Sequence, residues 1–226
     1  MRILESFKNL SKKEMILWIS SLSIIVLFFV IFKNNNYLTL VTSLIGATAL
    51  LFVSKGDVIG QILTIVFSFF YGYISFEYKY YGELITYLGM SAPAALVTAI
   101  IWIKNPYSRL EVKVTKLTKK KVIYLFLITL LITIIFYFIL KYFNNKNLLI
   151  STISVFTSFL ASSLMFLRSR YYALAYTSND IILIILWILA SIDNITYIPM
   201  VICFIIFLIN DLYGFINWTK MTKNQS

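Results

Sequence analysis

An all-α integral membrane protein with eight transmembrane helices is the fold that this sequence predicts. Three observations carry the expectation: the composition, the length and spacing of the apolar runs, and the placement of the basic residues. Of 226 residues, 60% are hydrophobic and 13% are charged, and the mean hydropathy is +0.87. A soluble domain is about half apolar and about a quarter charged, so composition alone places the chain in a bilayer. Each crossing needs about 20 mostly apolar residues, which leaves room for about eight or nine spans and little else.

Apolar runs bounded by charge or Asn clusters mark the spans. The first is 16–32, ended by Lys33-Asn34-Asn35-Asn36. Spans 37–54, 58–76 and 81–103 follow. A basic loop, 104–121, contains Pro106, and the residue before a proline disfavours helix. The remaining spans are 122–143, 148–167, 171–191 and 196–218. With the N-terminus inside, 16 of the 20 basic residues fall on the inner face, and only Lys33, Lys79, Lys141 and Lys146 fall outside. Missing or inventing one span would scramble that segregation downstream. Excess Lys and Arg on one face marks the cytoplasmic side, so both termini are expected there. The same rule accounts for the net charge of +11 without nucleic acid as a partner.

The basic loop divides the chain unevenly. Residues 1–36 form an N-terminus and an extra helix, expected at the periphery; 37–103 form a three-helix block. Residues 104–147 form the loop and a linker helix, 148–219 a second three-helix block, and 220–226 a tail. Thr42-Ser43-Leu44-Ile45-Gly46-Ala47-Thr48 echoes Thr157-Ser158-Phe159-Leu160-Ala161-Ser162-Ser163, and at the same offset Lys55 meets Arg170. Trp102 and Trp218 close their blocks at nearly that offset. Blocks joined through a single helix run parallel, which is a parallel-repeat transporter plan of 3+1+3.

Several chemistries are excluded or disfavoured. There are no histidines, which argues against a His general base or His-ligated metal. The single Cys203 lies in an apolar run and forms no intramolecular disulfide. No Walker-type phosphate loop, Ser/His/Asp arrangement or HExxH occurs. The N-terminus, with Glu5 and Glu14, is not that of a cleavable signal peptide. No cofactor, metal or catalytic residue is expected. A membrane-embedded enzyme would need Asp57, Asp180 and Asp211 to assemble at one membrane face. The Gly56-to-Gly60 spacing, at a span boundary, matches the Gly-x-x-x-Gly pattern of helix dimers.

Polar side chains at membrane depth are costly and tend to face a protein interior or a water-filled path. In the third span Asp57, Gln61, Thr64, Ser68, Tyr71 and Ser75 form a continuous stripe at three- and four-residue steps. The seventh span places Tyr172, Tyr176, Asp180 and Trp187 on one face, with Asn179 adjacent. The eighth places Phe207, Asp211, Gly214 and Trp218 on one face, flanked by Asn210 and Tyr213. Aromatic faces with amide and carboxyl groups suit a flat, polar ring compound: rings stack and amides read its edge. Trp18, Trp102 and Trp218, near span ends, are expected as interface anchors.

The closing segment, with Asn210-Asp211, Gly214 and Trp218, resembles the Pnu-type vitamin transporters. Lys55-Gly56-Asp57, Phe70-Tyr71-Gly72, Tyr81-Gly82-Glu83 and Ser178-Asn179-Asp180 followed by Leu186-Trp187 are similar to pieces of the same family. The resemblance covers about residues 37–219. It implies a SWEET-like 3+1+3 fold and homotrimers. It also implies facilitated diffusion of an unphosphorylated vitamin precursor, first of all nicotinamide riboside, trapped by a cytoplasmic kinase. Thiamine, riboflavin and deoxynucleosides are cargoes of relatives. Tyr176-x-x-x-Asp180 stands where nicotinamide riboside carriers of the family have Trp-x-x-x-Asn. Gln61, Tyr176, Asn179, Asp180 and Asn210 are expected to contact substrate, with Thr64 and Ser68 on the same path. Tyr71 and Trp187 are expected to line or gate it, and Asp211 to organise the helix junction. The basic loop is expected at the anionic inner leaflet as a solvated linker.

Overall fold

The computed structural model describes residues 2–32 and 36–225; Lys33, Asn34 and Asn35 of the expected first outer loop lie outside it. Among the described residues, eight helical segments are long and apolar enough to cross a membrane. A short helix α1 (Arg2–Lys8) precedes α2 (Lys12–Ile31). Ser11 and Glu14 close a capping box on α2: Glu14 N–H donates to Ser11 Oγ (3.3 Å), and Ser11 N–H donates to Glu14 Oε2 (2.7 Å). Helices α3 (Tyr37–Ser54) and α4 (Val58–Glu77) follow, capped by the side chains of Asn36 and Asp57.

The fourth span is interrupted. It runs as α5 (Tyr81–Thr86), a π-helical turn (Tyr87–Ser91) and α6 (Ala92–Lys104). Pro93 explains the break, because it has no N–H to donate and its ring crowds the preceding turn, which widens to accommodate it. Then come α7 (Lys119–Tyr142), α8 (Leu148–Phe166), α9 (Tyr172–Asp193), a 3-10 turn (Ile195–Tyr197) and α10 (Ile198–Asn224). The last helix continues past the expected end at 218, so Lys220 and Lys223 are helical.

The packing order is simple. α3 packs on α4, α4 on α6, α6 on α8, α8 on α9, α9 on α10, and α10 returns to α3. Six helices therefore close a ring, with α2 outside against α3 and α10, and α7 outside against α8. Of the eight spans α7 and α2 are the least buried, so the linker helix is as peripheral as the extra N-terminal one.

The turns of the two halves repeat each other. After α3, Gly56 N–H donates to Val53 O (2.9 Å) and Asp57 N–H to Phe52 O (3.0 Å); after α8, Arg168 N–H donates to Met165 O (2.9 Å) and Ser169 N–H to Leu164 O (2.9 Å). Both turns are left-handed, at Gly56 (φ 69) and Arg168 (φ 56). The structural counterpart of Gly56 is thus Arg168, and the Lys55–Arg170 pairing read from the sequence is displaced by about one helical turn.

Three expectations are corrected. Trp102 and Trp218 are not interface anchors: both are fully buried and touch each other, with ring centroids 5.5 Å apart. Trp18 is half-buried and donates its indole N–H to Thr48 Oγ1 (3.1 Å). The Gly56–Gly60 pair works within the chain, since Gly56 makes the left-handed turn and a Cβ at Gly60 would meet Val53 N at 2.4 Å and Ala49 O at 2.9 Å. Nor is the basic loop a free linker. Val112 N–H donates to Gly56 O (3.1 Å), Val114 N–H to Gln225 Oε1 (2.7 Å) and Thr115 N–H to Arg168 O (2.9 Å).

Because α3 and α4 approach through backbone at Gly60, Gly60→Ala must push them apart. We expect a loss of about 1–3 kcal/mol, read as a lower thermal midpoint in detergent; an unchanged midpoint would refute this contact.

Candidate functional site

The ring surrounds a narrow, partly open cavity of ≈ 50 Å³. Its wall is drawn from α3 (Gly46, Ala49, Leu50, Val53), α4 (Thr64, Phe67), the π turn (Tyr87, Ser91), α8 (Met165), α9 (Tyr176, Asn179, Asp180) and α10 (Phe207, Asp211). Of the ten residues singled out in the sequence, the cavity thus gathers Thr64, Tyr176, Asn179, Asp180 and Asp211.

The other five do not line it. Gln61 sits behind Met165, with Nε2 2.7 Å from the Met165 sulfur and Oε1 without a partner. Ser68 donates to Thr64 O (2.8 Å) on its own helix. Asn210 faces α2: its Nδ2 donates to Ile206 O (2.8 Å) and Ser21 Oγ (3.3 Å). Tyr71 and Trp187 join in an aromatic cluster, the Trp187 indole N–H donating to Tyr71 Oη (2.9 Å). Phe207, read from the sequence on the face of Asp211, lines the cavity with it, whereas Phe67 and Tyr87 were not singled out. Only the proline that widens the turn at Tyr87 signalled either of them.

Asn179 is fixed by α8. Its Oδ1 accepts from Thr157 (2.8 Å), Ser158 (2.9 Å) and Ser154 (3.4 Å), which leaves its amide N–H groups as the donors on the cavity side. Thr64 spends its hydroxyl proton on Gly60 O (2.8 Å), so it offers the cavity an acceptor and a methyl group. The carboxyls of Asp180 and Asp211 lie close to each other on the cavity wall, one from α9 and one from α10. Asp180 Oδ2 is buried and has no partner. Asp57 caps α4, accepting from Ile59 N–H (3.1 Å) and Ser6 Oγ (2.5 Å), and does not line the cavity with the pair.

Aromatic layers lie at both ends of the cavity. On the side away from the basic loop, Tyr71 packs against Phe67 (5.4 Å), Tyr87 (4.4 Å) and Phe204 (5.6 Å), with Trp187 behind it (6.3 Å). On the basic side, Tyr172 packs against Trp218 (4.8 Å) and Tyr176 (6.2 Å), and Trp218 against Trp102. Trp218 Nε1 donates to Val53 O (3.0 Å), tying this layer to the end of α3.

A ring of apolar helices around a mostly apolar cavity with a few buried polar groups suits a carrier. The sequence model of the family described as "Nicotinamide mononucleotide transporter" matches residues 36–220. The chain belongs to this family. Among its relatives is the "Nicotinamide riboside transporter PnuC" of Neisseria mucosa, 27% identical over 202 residues, covering 87% of this chain and 77% of the relative. The protein of the same description from Haemophilus influenzae is 23% identical, covering 100% of this chain and 98% of its own. A solved structure described as "Crystal structure of the Vitamin B3 transporter PnuC" superposes with a TM-score of 0.85 at 27% identity, covering 96% of this chain and 95% of that one. The expected fold and family resemblance are both shown by these matches, and family members of this kind are transporters rather than enzymes.

Replacing Asn179 by Leu removes one acceptor from three buried or part-buried hydroxyls. The expected cost is about 1–3 kcal/mol, measured as a lower unfolding midpoint, and restored in part when Thr157→Val and Ser158→Ala are added. No recovery in the combined variant would mean that the amide is not what holds α8 to α9.

Proposed function

We propose that the chain carries nicotinamide riboside inward across the cytoplasmic membrane, with the cavity as its binding site. The observation that carries this reading is the unpartnered Asp180 oxygen, beside the Asp211 carboxyl, in a chamber walled by Phe67, Tyr87, Tyr176 and Phe207. Nicotinamide riboside presents a positively charged aromatic ring, a carboxamide and sugar hydroxyls. The aromatic walls attract the cationic ring through their faces. The carboxyl pair offsets its charge, and the Asn179 amide pairs with the carboxamide or a hydroxyl. The names of the two relatives support the same cargo.

In this reading Tyr71 and Trp187 form one gate, and Tyr172 and Trp218 form the other. Gln61 steadies Met165 at the cavity wall, Ser68 and Asn210 hold helix packing, and Asp211 acts with Asp180. The basic face, which carries α1, the loop after α6 and the end of α10, is cytoplasmic, in keeping with the positive-inside rule. Transport is facilitated diffusion, made unidirectional by a cytoplasmic kinase that phosphorylates the cargo, and the working unit is a homotrimer in the bilayer.

A second reading has a specific observation in its favour. Tyr176 and Asp180 would serve a thiazolium ring as well as a pyridinium ring, so thiamine is the main rival; riboflavin and deoxynucleosides lack the positive ring that the carboxyls suit.

Binding and proteoliposome uptake with all four compound classes separate these readings. Nicotinamide riboside is expected to bind tightest, and Asp180→Asn to weaken it by about tenfold or more, equivalent to one charged contact. Tight thiamine binding without nicotinamide riboside binding would replace the primary reading. If Asp180→Asn and Tyr176→Ala both left affinity unchanged, the cavity would not be the site. For orientation, in a Cys203→Ser background Lys141→Cys should label in intact cells, and Ser108→Cys only after permeabilisation. The opposite pattern would invert the topology.

A further inference from the structure

The basic face carries a second concavity that transport through the ring does not use. A hollow of ≈ 440 Å³ opens between the loop after α6, the α8–α9 turn and the end of α10, and Lys113, Lys116 and Arg168 line it. An adjoining hollow of ≈ 200 Å³ shares Lys116 and adds Arg170. No Asp or Glu lines either one, and among the described residues none of these four cations is paired with a carboxylate. The nearby Glu111 is engaged by Gln225, whose Nε2 donates to it at 2.7 Å.

Two details separate this from a solvated charged surface. The first is the backbone of Arg168. Its φ of 56 lies in the left-handed region that favours glycine, and the matching turn after α3 uses Gly56 for the same pair of hydrogen bonds. Lys79, Asn144 and Asn147 adopt the same conformation at other helix ends, so what sets Arg168 apart is its place on the wall of the concavity. The second is fixation. Arg168 is half-buried, its Nη1 donates to Lys113 O (3.2 Å), and its carbonyl accepts from Thr115 N–H (2.9 Å). Burial lowers its pKa from the ordinary guanidinium value, yet Arg stays charged at physiological pH. The guanidinium and the loop lysines are therefore held together despite their mutual repulsion. The positive end of α9, which starts just after Arg170, adds to the same field. Clustered cations around a concavity focus field lines and select a compact, multiply charged anion.

We propose that this concavity is a binding site for a phosphate group, with Arg168 as the bidentate donor and Lys113, Lys116 and Arg170 as its charge partners. Guanidinium pairs with phosphate through two parallel N–H donors, while lysines contribute as point charges. The phosphate can be that of a soluble phosphomonoester or that of an anionic lipid headgroup, and the chemistry of recognition is shared.

The full-length protein in detergent is titrated calorimetrically with inorganic phosphate and with adenosine monophosphate. In parallel, native mass spectrometry measures retention of phosphatidylglycerol against phosphatidylcholine. Two variants are compared: Arg168→Gly, which suits the backbone and removes the fork, and Lys113→Gln with Lys116→Gln, which leaves the Arg168–Lys113 backbone bond possible. Saturable binding of either soluble probe, weakened about tenfold or more in both variants at thermal midpoints no lower than that of the parent protein, supports the site and assigns a soluble ligand. Selective phosphatidylglycerol retention lost in both variants, without soluble binding, supports it and assigns a lipid. No binding of any probe, or binding indifferent to both variants while they remain folded, overturns the proposal. The outcome does not depend on which compound crosses the ring.

Discussion

In hydrocarbon, a peptide group or hydroxyl without an internal partner costs several kcal/mol, and this constraint shapes the whole structure. Most Ser and Thr hydroxyls within the spans turn back onto a carbonyl of their own helix, as Ser43, Thr64, Thr129 and Ser162 do. Several polar groups that are not met locally are brought together across helices. The Val53 carbonyl, at the end of α3, accepts from Gly56 N–H, from the Trp218 indole and, at 3.5 Å, from Tyr172. Asn179 collects three hydroxyls from α8. Such contacts close the ring more specifically than apolar packing does, because lipid tails are as apolar as leucine.

The same constraint explains what could be read from the sequence. Span positions follow from the length of chain needed to cross a bilayer, and the described spans begin or end within a few residues of the apolar runs. The seventh and eighth spans were read well at Tyr176, Asn179, Asp180 and Asp211, since a carboxyl at that depth has few places to go. What periodicity does not supply is the identity of the neighbour. Asn210 is one position from Asp211, yet a serine on the extra helix, Ser21, gives it a partner on the outer side. Gln61 shares a stripe with Thr64, but Met165 stands in front of it. Phe67 looks like any core aromatic until the ring closes around it. Trp102 and Trp218 sit near span ends, where an interfacial role is the usual reading, and the closing of the ring buries them by bringing Trp218 against Trp102 and Tyr172.

The chamber is bounded by aromatic contacts rather than by a continuous hydrogen-bond network. Each such pair is worth about 0.5–1.5 kcal/mol beyond its buried area. A layer of that kind excludes water yet separates without breaking covalent or helical structure. The two layers are also unlike. Trp187 is tied to Tyr71, side chain to side chain, between α9 and α4; Trp218 is tied to the Val53 backbone between α10 and α3. Opening one does not by itself break the tie that holds the other.

The widened turn at Tyr87–Ser91 has a mechanical meaning. A π turn stores one residue more than an α turn for the same advance. Were that residue to slip into the helix on either side, the two halves of the span would counter-rotate by about 100°, the angle per residue of an α-helix. Tyr87 sits in the turn itself, between the cavity and the ring of Tyr71. The span therefore contains a screw thread with one position of slack, and a small axial slide there would become a large swing of an aromatic ring.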